Sequence, residues 1–345
     1  MRLKRIRADA LDLRVVRRGR GVSLLDAEGR VVSDPDIRLR YKALVLPPAW
    51  TDVRLASHPR AHIQATGIDA AGRRQYRYHP DWETRRLKRK LDQLAMLSDN
   101  LGRLRRRVRT DLAGPAGSRQ LALAVAVALI DRTAMRVGRE RYLDSNGTRG
   151  AGTLFSRDVT VRGSAIRIVF PAKSGKKADY VLDDAELAGA ISRIKTIAGA
   201  RLLLWRDAEG KVHALRTDDI NRYLREATGA AITAKDFRTL HASALAAEQL
   251  ARVEPGTSPT ARKRQMAAIT RQVAAFLQNT PAVCRSSYIA PCLFELFDKG
   301  ALGHLWSAAV ATGQGLRARE ARLAAVLAAQ AASVARRAGR AAAPS

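Results

Sequence analysis

Two arginines set in apolar surroundings are the side chains here best suited to phosphoryl chemistry. Arg136 lies in Met135-Arg-Val-Gly-Arg-Glu-Arg-Tyr142, and Arg238 in Lys235-Asp-Phe-Arg-Thr-Leu-His241. Each follows or interrupts an apolar helical pattern, which marks a half-buried arginine that needs a reason to be there. Phosphoryl transfer spreads negative charge over the non-bridging oxygens, and fixed guanidinium groups offset it. A structural salt bridge is the commoner use of a single such arginine, so both readings stand. A third segment, Gln278-Asn-Thr-Pro-Ala-Val-Cys-Arg-Ser-Ser-Tyr-Ile289, adds a polar Asn279 and a Tyr288 nine residues on. A turn centred on Pro281 separates them, at the entry to a helix.

The composition says what such residues would act on. Among 345 residues, 62 Lys+Arg face 32 Asp+Glu, a formal charge of +30. A single-sign field of that size attracts polyanions. Arginine, the larger share of the basic residues, matches phosphate oxygens in a bidentate way. Nucleic acid is the expected partner. There is no Gly-x-x-x-x-Gly-Lys-Ser/Thr loop, no His-Glu-x-x-His and no carboxylate cluster suited to paired Mg²⁺ ions. No metal, nucleotide or other cofactor is therefore expected. Asp183-Asp184 and Asp218-Asp219 each precede a helical pattern and read as N-terminal caps. Cys284 and Cys292 give neither a disulfide framework nor a zinc spacing. The longest apolar run, Leu121 to Ile130, is too short for a membrane span, and the N-terminus lacks the apolar stretch of a secretory signal. An intracellular, cytoplasmic protein is expected.

The elements that must position these residues form two groups. Residues 20–80 read as β-rich: Val22–Leu25 and Val31–Val32 flank a turn at Asp26-Ala-Glu-Gly29, Pro47-Pro48 and Pro59 break any helix, and Gly67 to Gly72 turns into a strand bearing Tyr76 and Tyr78. From Trp82 the spacing of Leu87, Leu91, Leu94, Leu101, Leu104 and Val108 predicts a long basic helix. Gly114-Pro115-Ala116-Gly117 stops it and Ser118 caps a buried helix over Leu121–Ile130. Residues 152–182 predict an antiparallel sheet with strands at Gly152–Phe155, Val159–Val161, Ile166–Phe170 and Tyr180–Leu182. Helical patterns follow at 184–198, 217–228, 234–252, 258–278 and 290–310. The segment beyond about Thr312 reads as a solvated Ala/Arg-rich helix with a disordered basic tip.

In order along the chain, several blocks resemble those of a type IB DNA topoisomerase of the small bacterial and poxvirus kind. They are Leu46-Pro-Pro-Ala-Trp-Thr-Asp-Val53, Gly72-Arg-Arg-Gln-Tyr-Arg-Tyr78, Arg136-x-Gly with Tyr142 and Gly152-Thr-Leu154, Phe170-Pro-Ala-Lys-Ser-Gly-Lys176, Lys235-Asp-Phe-Arg-Thr239 and Ser287-Tyr288. Each block is weak alone; six in order, across roughly Leu44 to Phe297, are specific. The resemblance implies that Tyr288 attacks a backbone phosphorus and forms a 3′-phosphotyrosyl bond. It implies that Arg136 and Arg238 hold the non-bridging oxygens, and that Lys173 protonates the departing 5′ oxygen. Lys176 and Lys177, in the same turn, compete for that last role. Many members carry His where Asn279 stands; an amide can donate a hydrogen bond to a phosphoryl oxygen but cannot relay a proton. Arg74, Gln75, Tyr76 and Tyr78 match a DNA-facing strand, and Tyr142 a further backbone contact. Arg74, Tyr76 and Tyr78 share one strand face and suit phosphate contacts that position a duplex without reading sequence. His241 is expected to pack within its helix.

The expected fold is α+β, of the type IB topoisomerase and tyrosine recombinase kind. A β-rich N-terminal DNA-binding domain (1–84) precedes a mainly helical catalytic domain (85–312) with a β-hairpin insert at 152–182. A C-terminal helix and basic tail (313–345) follow. The two domains would close as a clamp on duplex DNA, as a monomer associated with the nucleoid, relaxing supercoils without ATP or metal. The nearest rival is a tyrosine recombinase, whose second arginine block typically reads His-x-x-Arg, whereas Arg238 here precedes His241. A non-enzymatic DNA packer fits the charge but has no use for the lysine turn and Tyr288.

Overall fold

Short apolar alternations separated by turn residues build the first part of the chain. The computed structural model describes residues 2–19, 21–172, 175–310 and 315–342, and its contacts divide the chain into two units, Met1–Arg89 and Lys90–Ser345. In the first unit, strands β1 (Leu13–Arg18), β2 (Gly21–Leu25), β3 (Thr51–Leu55), β4 (Ile63–Ile68) and β5 (Arg74–Tyr78) form one antiparallel sheet in the order β2-β1-β3-β4-β5. Helix α1 (Pro35–Ala43) starts at Asp34, whose carboxylate accepts the N–H groups of Asp36 and Ile37. Its Ile37 and Tyr41, one turn apart, pack on Leu13, Leu24, Leu55 and Ala65. The 26–29 turn forms, but beyond it Val31 makes a single bridge to Leu25. The main partner of β2 is β1, a strand the sequence reading passed over because arginines interrupt its apolar positions. The turn from β4 to β5 is organised by Asp69, whose carboxylate accepts the backbone N–H groups of Ala71 and Arg73.

The unit boundary falls inside helix α2 (Pro80–Leu112), whose Leu94, Leu97, Leu101, Leu104 and Val108 are buried in the second unit. Helix α3 (Arg119–Thr133) is capped by Ser118, whose hydroxyl accepts the Leu121 N–H at 3.1 Å. Every residue from Leu121 to Asp131 is buried. A helix enclosed on all sides needs no polar face and shows no amphipathic period. Around α3 stand α5 (Ala185–Ile194), α6 (Thr217–Thr228) and α7 (Ala234–Ala251). Strands β6 (Val159–Arg162), β7 (Ala165–Pro171) and β8 (Lys177–Asp183) form an antiparallel meander. Asp184 caps α5 by accepting the Leu187 N–H at 2.9 Å. Asp219, in the first turn of α6, accepts the Arg216 N–H at 3.0 Å.

Three expectations change. Gly152–Phe155 is not a strand: Ala151–Thr153 makes a single 3-10 turn, buried against the chain before it. The helical pattern at 290–310 is two helices, α10 (Pro291–Asp298) and α11 (Leu302–Ala308), because Gly300 adopts positive φ between them. The C-terminal helix α12 (Gly315–Ala342) is not simply solvated, since it packs on α7 and α11 and buries Glu320, Leu323 and Val326. Glu320 joins a buried network in which Arg105 donates paired hydrogen bonds to Asp131 (2.8 and 2.8 Å) and to Glu320 (2.8 and 3.1 Å). A short hairpin of β9 (Leu204–Arg206) and β10 (Val212–Ala214), and helix α4 (Glu140–Asn146), were not expected. Among the described residues, no helix is long and apolar enough to cross a membrane.

Candidate active site

The site is assembled where three helices end. Helix α3 stops at Ala134, a non-glycine residue at φ 53°, and the next turn of chain carries Arg136. That loop is pinned by residues 150–152: the Ala151 N–H donates to the Arg136 carbonyl at 2.8 Å and the Gly152 N–H to that of Val137 at 2.6 Å. The two backbones lie so close that a Cβ on Gly138 would overlap Thr153 Oγ1, and one on Gly150 the Arg136 carbonyl. Gly138 also sits at φ +79°, so the glycine of the Arg136-x-Gly block is required twice over.

Arg238 rises from the first turns of α7 and is 3% exposed. Its Nη1 donates to the Ala134 carbonyl and its Nη2 to that of Leu277 at 2.8 Å. These carbonyls close α3 and α8 (Pro259–Phe276), and helix C-termini carry partial negative charge that favours a cation. Gln278, again at positive φ (51°), then turns the chain so that Asn279 faces Arg136. Arg136 Nη2 donates to Asn279 Oδ1 at 2.5 Å and lies 3.4 Å from the Gln278 carbonyl. Helix α9 (Pro281–Ser287), capped by Thr280, ends at Tyr288, whose N–H donates to the Cys284 carbonyl at 3.0 Å. The Arg238 guanidinium carbon stands 5.0 Å from the centre of the Tyr288 ring. Tyr288 thus closes one helix, and α10 begins three residues later.

Arg136, Arg139, Tyr142, Arg149, Lys235, Arg238 and Tyr288 line one cleft of about 360 Å³ with no carboxylate among its lining residues. Arg149 is balanced by Asp158 at 2.6 Å. Among the described residues, neither Arg136 nor Arg238 pairs with a carboxylate. Burial, and then the like charge of Arg238, push the pKa of Arg136 below the usual arginine value. Both groups face a space suited to an anion. Tyr180, on β8, feels both arginines: burial raises its pKa and their charges draw it back in part. A larger cavity of about 480 Å³, around Arg105, Arg109 and Arg132, contains its own carboxylates Asp131, Glu186 and Asp184. Arg105, Arg109 and Arg132 pair with those carboxylates, unlike Arg136 and Arg238.

Arg136, Arg238, Asn279 and Tyr288 are therefore brought together, and Tyr142 lines the same cleft, its hydroxyl accepting from Arg141 at 2.7 Å. Lys173 lies outside the described residues; Lys176 and Lys177 are exposed at the β7–β8 turn. His241 is buried outside the cleft, with Nδ1 3.7 Å from Glu320 and Nε2 4.0 Å from Asp131. In the first unit, Arg74, Gln75, Tyr76 and Tyr78 lie on β5, an edge strand. Tyr76 and Tyr78 stack at 5.9 Å with an 11° interplanar angle, whereas Gln75 points to the other face and donates to Asp69 at 2.7 Å. The sequence reading did not select Arg139, Arg149, Lys235 or Tyr180. Lys235 alone gave a signal, three residues before Arg238 on the same helix.

Residues 80–290, more than half of the chain, match the family model for the catalytic core of eukaryotic DNA topoisomerase I. Residues 21–69 match that for the N-terminal domain of bacterial DNA topoisomerase IB. The chain is also similar to the DNA topoisomerase 1B of Acanthamoeba polyphaga mimivirus, with 29% identity over 274 residues, covering 77% of this chain and 81% of the viral protein. Arg136, Lys173, Arg238, Asn279 and Tyr288 all fall within the first match.

Proposed function

Because this chain belongs to the DNA topoisomerase I family, of the type IB kind, we propose that it relaxes supercoiled duplex DNA by opening one strand at a time through Tyr288. The observation that carries this reading is the cleft itself: a tyrosine under the Arg238 guanidinium, sharing the cleft with Arg136, neither arginine having a carboxylate partner among the described residues and the lining holding no acidic residue. Buried or half-buried cations without a counter-ion are costly unless an anion completes the site, and a backbone phosphate supplies one.

Tyr288 Oη, giving up its proton to solvent, bonds to phosphorus while the bond from phosphorus to the 5′ oxygen breaks. Arg136 and Arg238 stabilise the charge gathering on the non-bridging oxygens, and the Asn279 amide donates to one of them. Lys173 delivers a proton to the departing 5′ oxygen. The phosphotyrosyl bond conserves the energy of the phosphodiester, so rotation of the free end is driven by torsion alone and religation is the reverse step. No ATP or metal is required. The stacked Tyr76 and Tyr78, with Arg74, position the duplex by its backbone, and the two units act as a monomeric clamp in the cytoplasm, on nucleoid DNA.

Relaxation of supercoiled plasmid in EDTA without ATP, followed by trapping with denaturant, tests the reading. Wild-type protein is expected to relax the plasmid and leave a covalent adduct; Tyr288→Phe should do neither yet bind duplex nearly as well. An adduct in the phenylalanine variant would remove Tyr288 from the role.

A further inference from the structure

Helix α7 reaches the nucleophile at two points. Arg238 covers the Tyr288 ring, and five residues further on Ser243, wholly buried, reaches the backbone that carries it. Ser243 Oγ donates to the Tyr288 carbonyl at 3.2 Å and accepts the Ala290 N–H at 3.0 Å. One hydroxyl proton and two lone pairs allow both bonds at once. We propose that Ser243 is a positioning residue that sets the Tyr288 phenol against Arg238, so that the attack geometry exists before DNA binds. The proposal rests on the reading of Tyr288 as nucleophile.

Every backbone polar group from Tyr288 to Ala290 is occupied. The Tyr288 and Ile289 N–H groups share the Cys284 carbonyl at 3.0 and 3.1 Å, and the Ala290 carbonyl accepts the Leu293 N–H at 3.1 Å. Lys90 Nζ donates to the Ile289 carbonyl at 2.8 Å. Ser243 makes the remaining two bonds, and both run to the helix that bears Arg238. The link between α9 and α10 is therefore registered to α7 by one side chain. An error of about 1 Å in a reacting group can cost about a hundredfold in rate, and a buried hydroxyl on a rigid helix removes that freedom. Because the other four groups keep their partners, loss of the hydroxyl should loosen the link without unfolding it.

The test uses the full chain with fluorotyrosine incorporated, the Tyr288 resonance being assigned by its absence in Tyr288→Phe. For Ser243→Ala, single-turnover cleavage at saturating duplex should slow by about tenfold to a hundredfold, with duplex affinity unchanged and the Tyr288 resonance shifted or broadened. Ser243→Cys, similar in size but a weaker donor and acceptor, should fall between. Wild-type cleavage in the alanine variant overturns the proposal. So does an unmoved Tyr288 resonance accompanied only by a lower melting temperature, since that is plain packing. Should the wild-type protein form no adduct through Tyr288, the functional reading fails, and the resonance still decides whether Ser243 fixes the ring.

Discussion

Arg136 Nη2 donates to Asn279 Oδ1 at 2.5 Å, and the other end of that amide, Nδ2, is buried with no hydrogen-bond partner among the described residues. A guanidinium has donors only, so the amide oxygen must face it and the NH₂ must point away. Arg136 thereby aims a donor, and an unsatisfied buried donor is costly unless a ligand completes it. Asn279→Ala should slow cleavage by about tenfold to a hundredfold, the scale of one hydrogen bond to a charged group. Asn279→Asp should be worse, because its carboxylate pairs with Arg136 and repels the phosphate. Asn279→His should retain activity. Single-turnover cleavage of the three variants checks the order, and an aspartate variant faster than the alanine one would break the argument.

The two arginines are held differently, and their variants should differ accordingly. Arg238 ties together the carbonyls at the ends of α3 and α8, whereas Arg136 contacts Asn279 and, at longer range, the Gln278 carbonyl. Both alanine variants should lose roughly a hundredfold or more in cleavage rate. Arg238→Ala should in addition lower the unfolding free energy by about 1–3 kcal/mol, since buried carbonyls lose their donor. Arg136→Ala should unfold close to wild type. Denaturant titration beside the rate measurements separates the two.

Lys173 can be assigned by leaving-group chemistry. On a duplex whose scissile 5′ oxygen is replaced by sulfur, the thiolate departs without needing a proton. The defect of Lys173→Ala should then largely vanish, while that of Arg136→Ala persists. An equal lysine defect on both substrates would move the acid to Lys176 or leave Lys173 a purely electrostatic part.

A pH-dependent contribution to stability comes from the Arg105 network. Burial alone would raise the pKa of Asp131, but the hydrogen bonds and charge of Arg105 outweigh it and hold the carboxyl below the usual value. A depressed carboxyl stabilises the fold at pH above its unfolded value, about 3.9, and that stability is lost as pH falls through the folded value. The stability gap between wild type and Asp131→Asn should therefore be largest near neutrality and shrink below about pH 4. Urea titrations at several pH values read it directly. A gap independent of pH would mean that the ion pair contributes nothing beyond packing.

The candidate site residues were legible because each stands in a short block that follows the others in order along the chain: Arg136-x-Gly, Lys235-Asp-Phe-Arg and Ser-Tyr288. Capping was legible too, at Ser118 and Asp184, since a cap is a local hydrogen bond between near neighbours in sequence. What escaped the sequence depends on distant partners. Strand β1 is defined by pairing with β2 and β3, not by its arginine-interrupted pattern. The burial of Glu320 depends on Arg105, 215 residues away. Ser243 looks like any small helical residue until Tyr288 and Ala290 are seen to share its hydroxyl.

Binding to duplex DNA should depend steeply on salt and weakly on sequence. The formal charge is +30, and α2 exposes Arg85, Arg89, Arg103 and Arg106 among its basic residues. The cleft adds cations without carboxylates. Each phosphate neutralised releases condensed counterions, so about six to ten contacts would lower affinity by roughly 10³–10⁵ between about 50 and 200 mM salt. Relaxation should then be processive at low salt, where product release limits turnover, and distributive at high salt. The measurement is the slope of log binding constant against log salt, made with Tyr288→Phe to avoid covalent trapping. Charge reversal at Arg103 and Arg106 should flatten that slope by about one unit per lost contact. A slope unchanged by both substitutions would place the duplex away from that part of α2, and a flat plot for the parent protein would remove the backbone-clamp reading altogether.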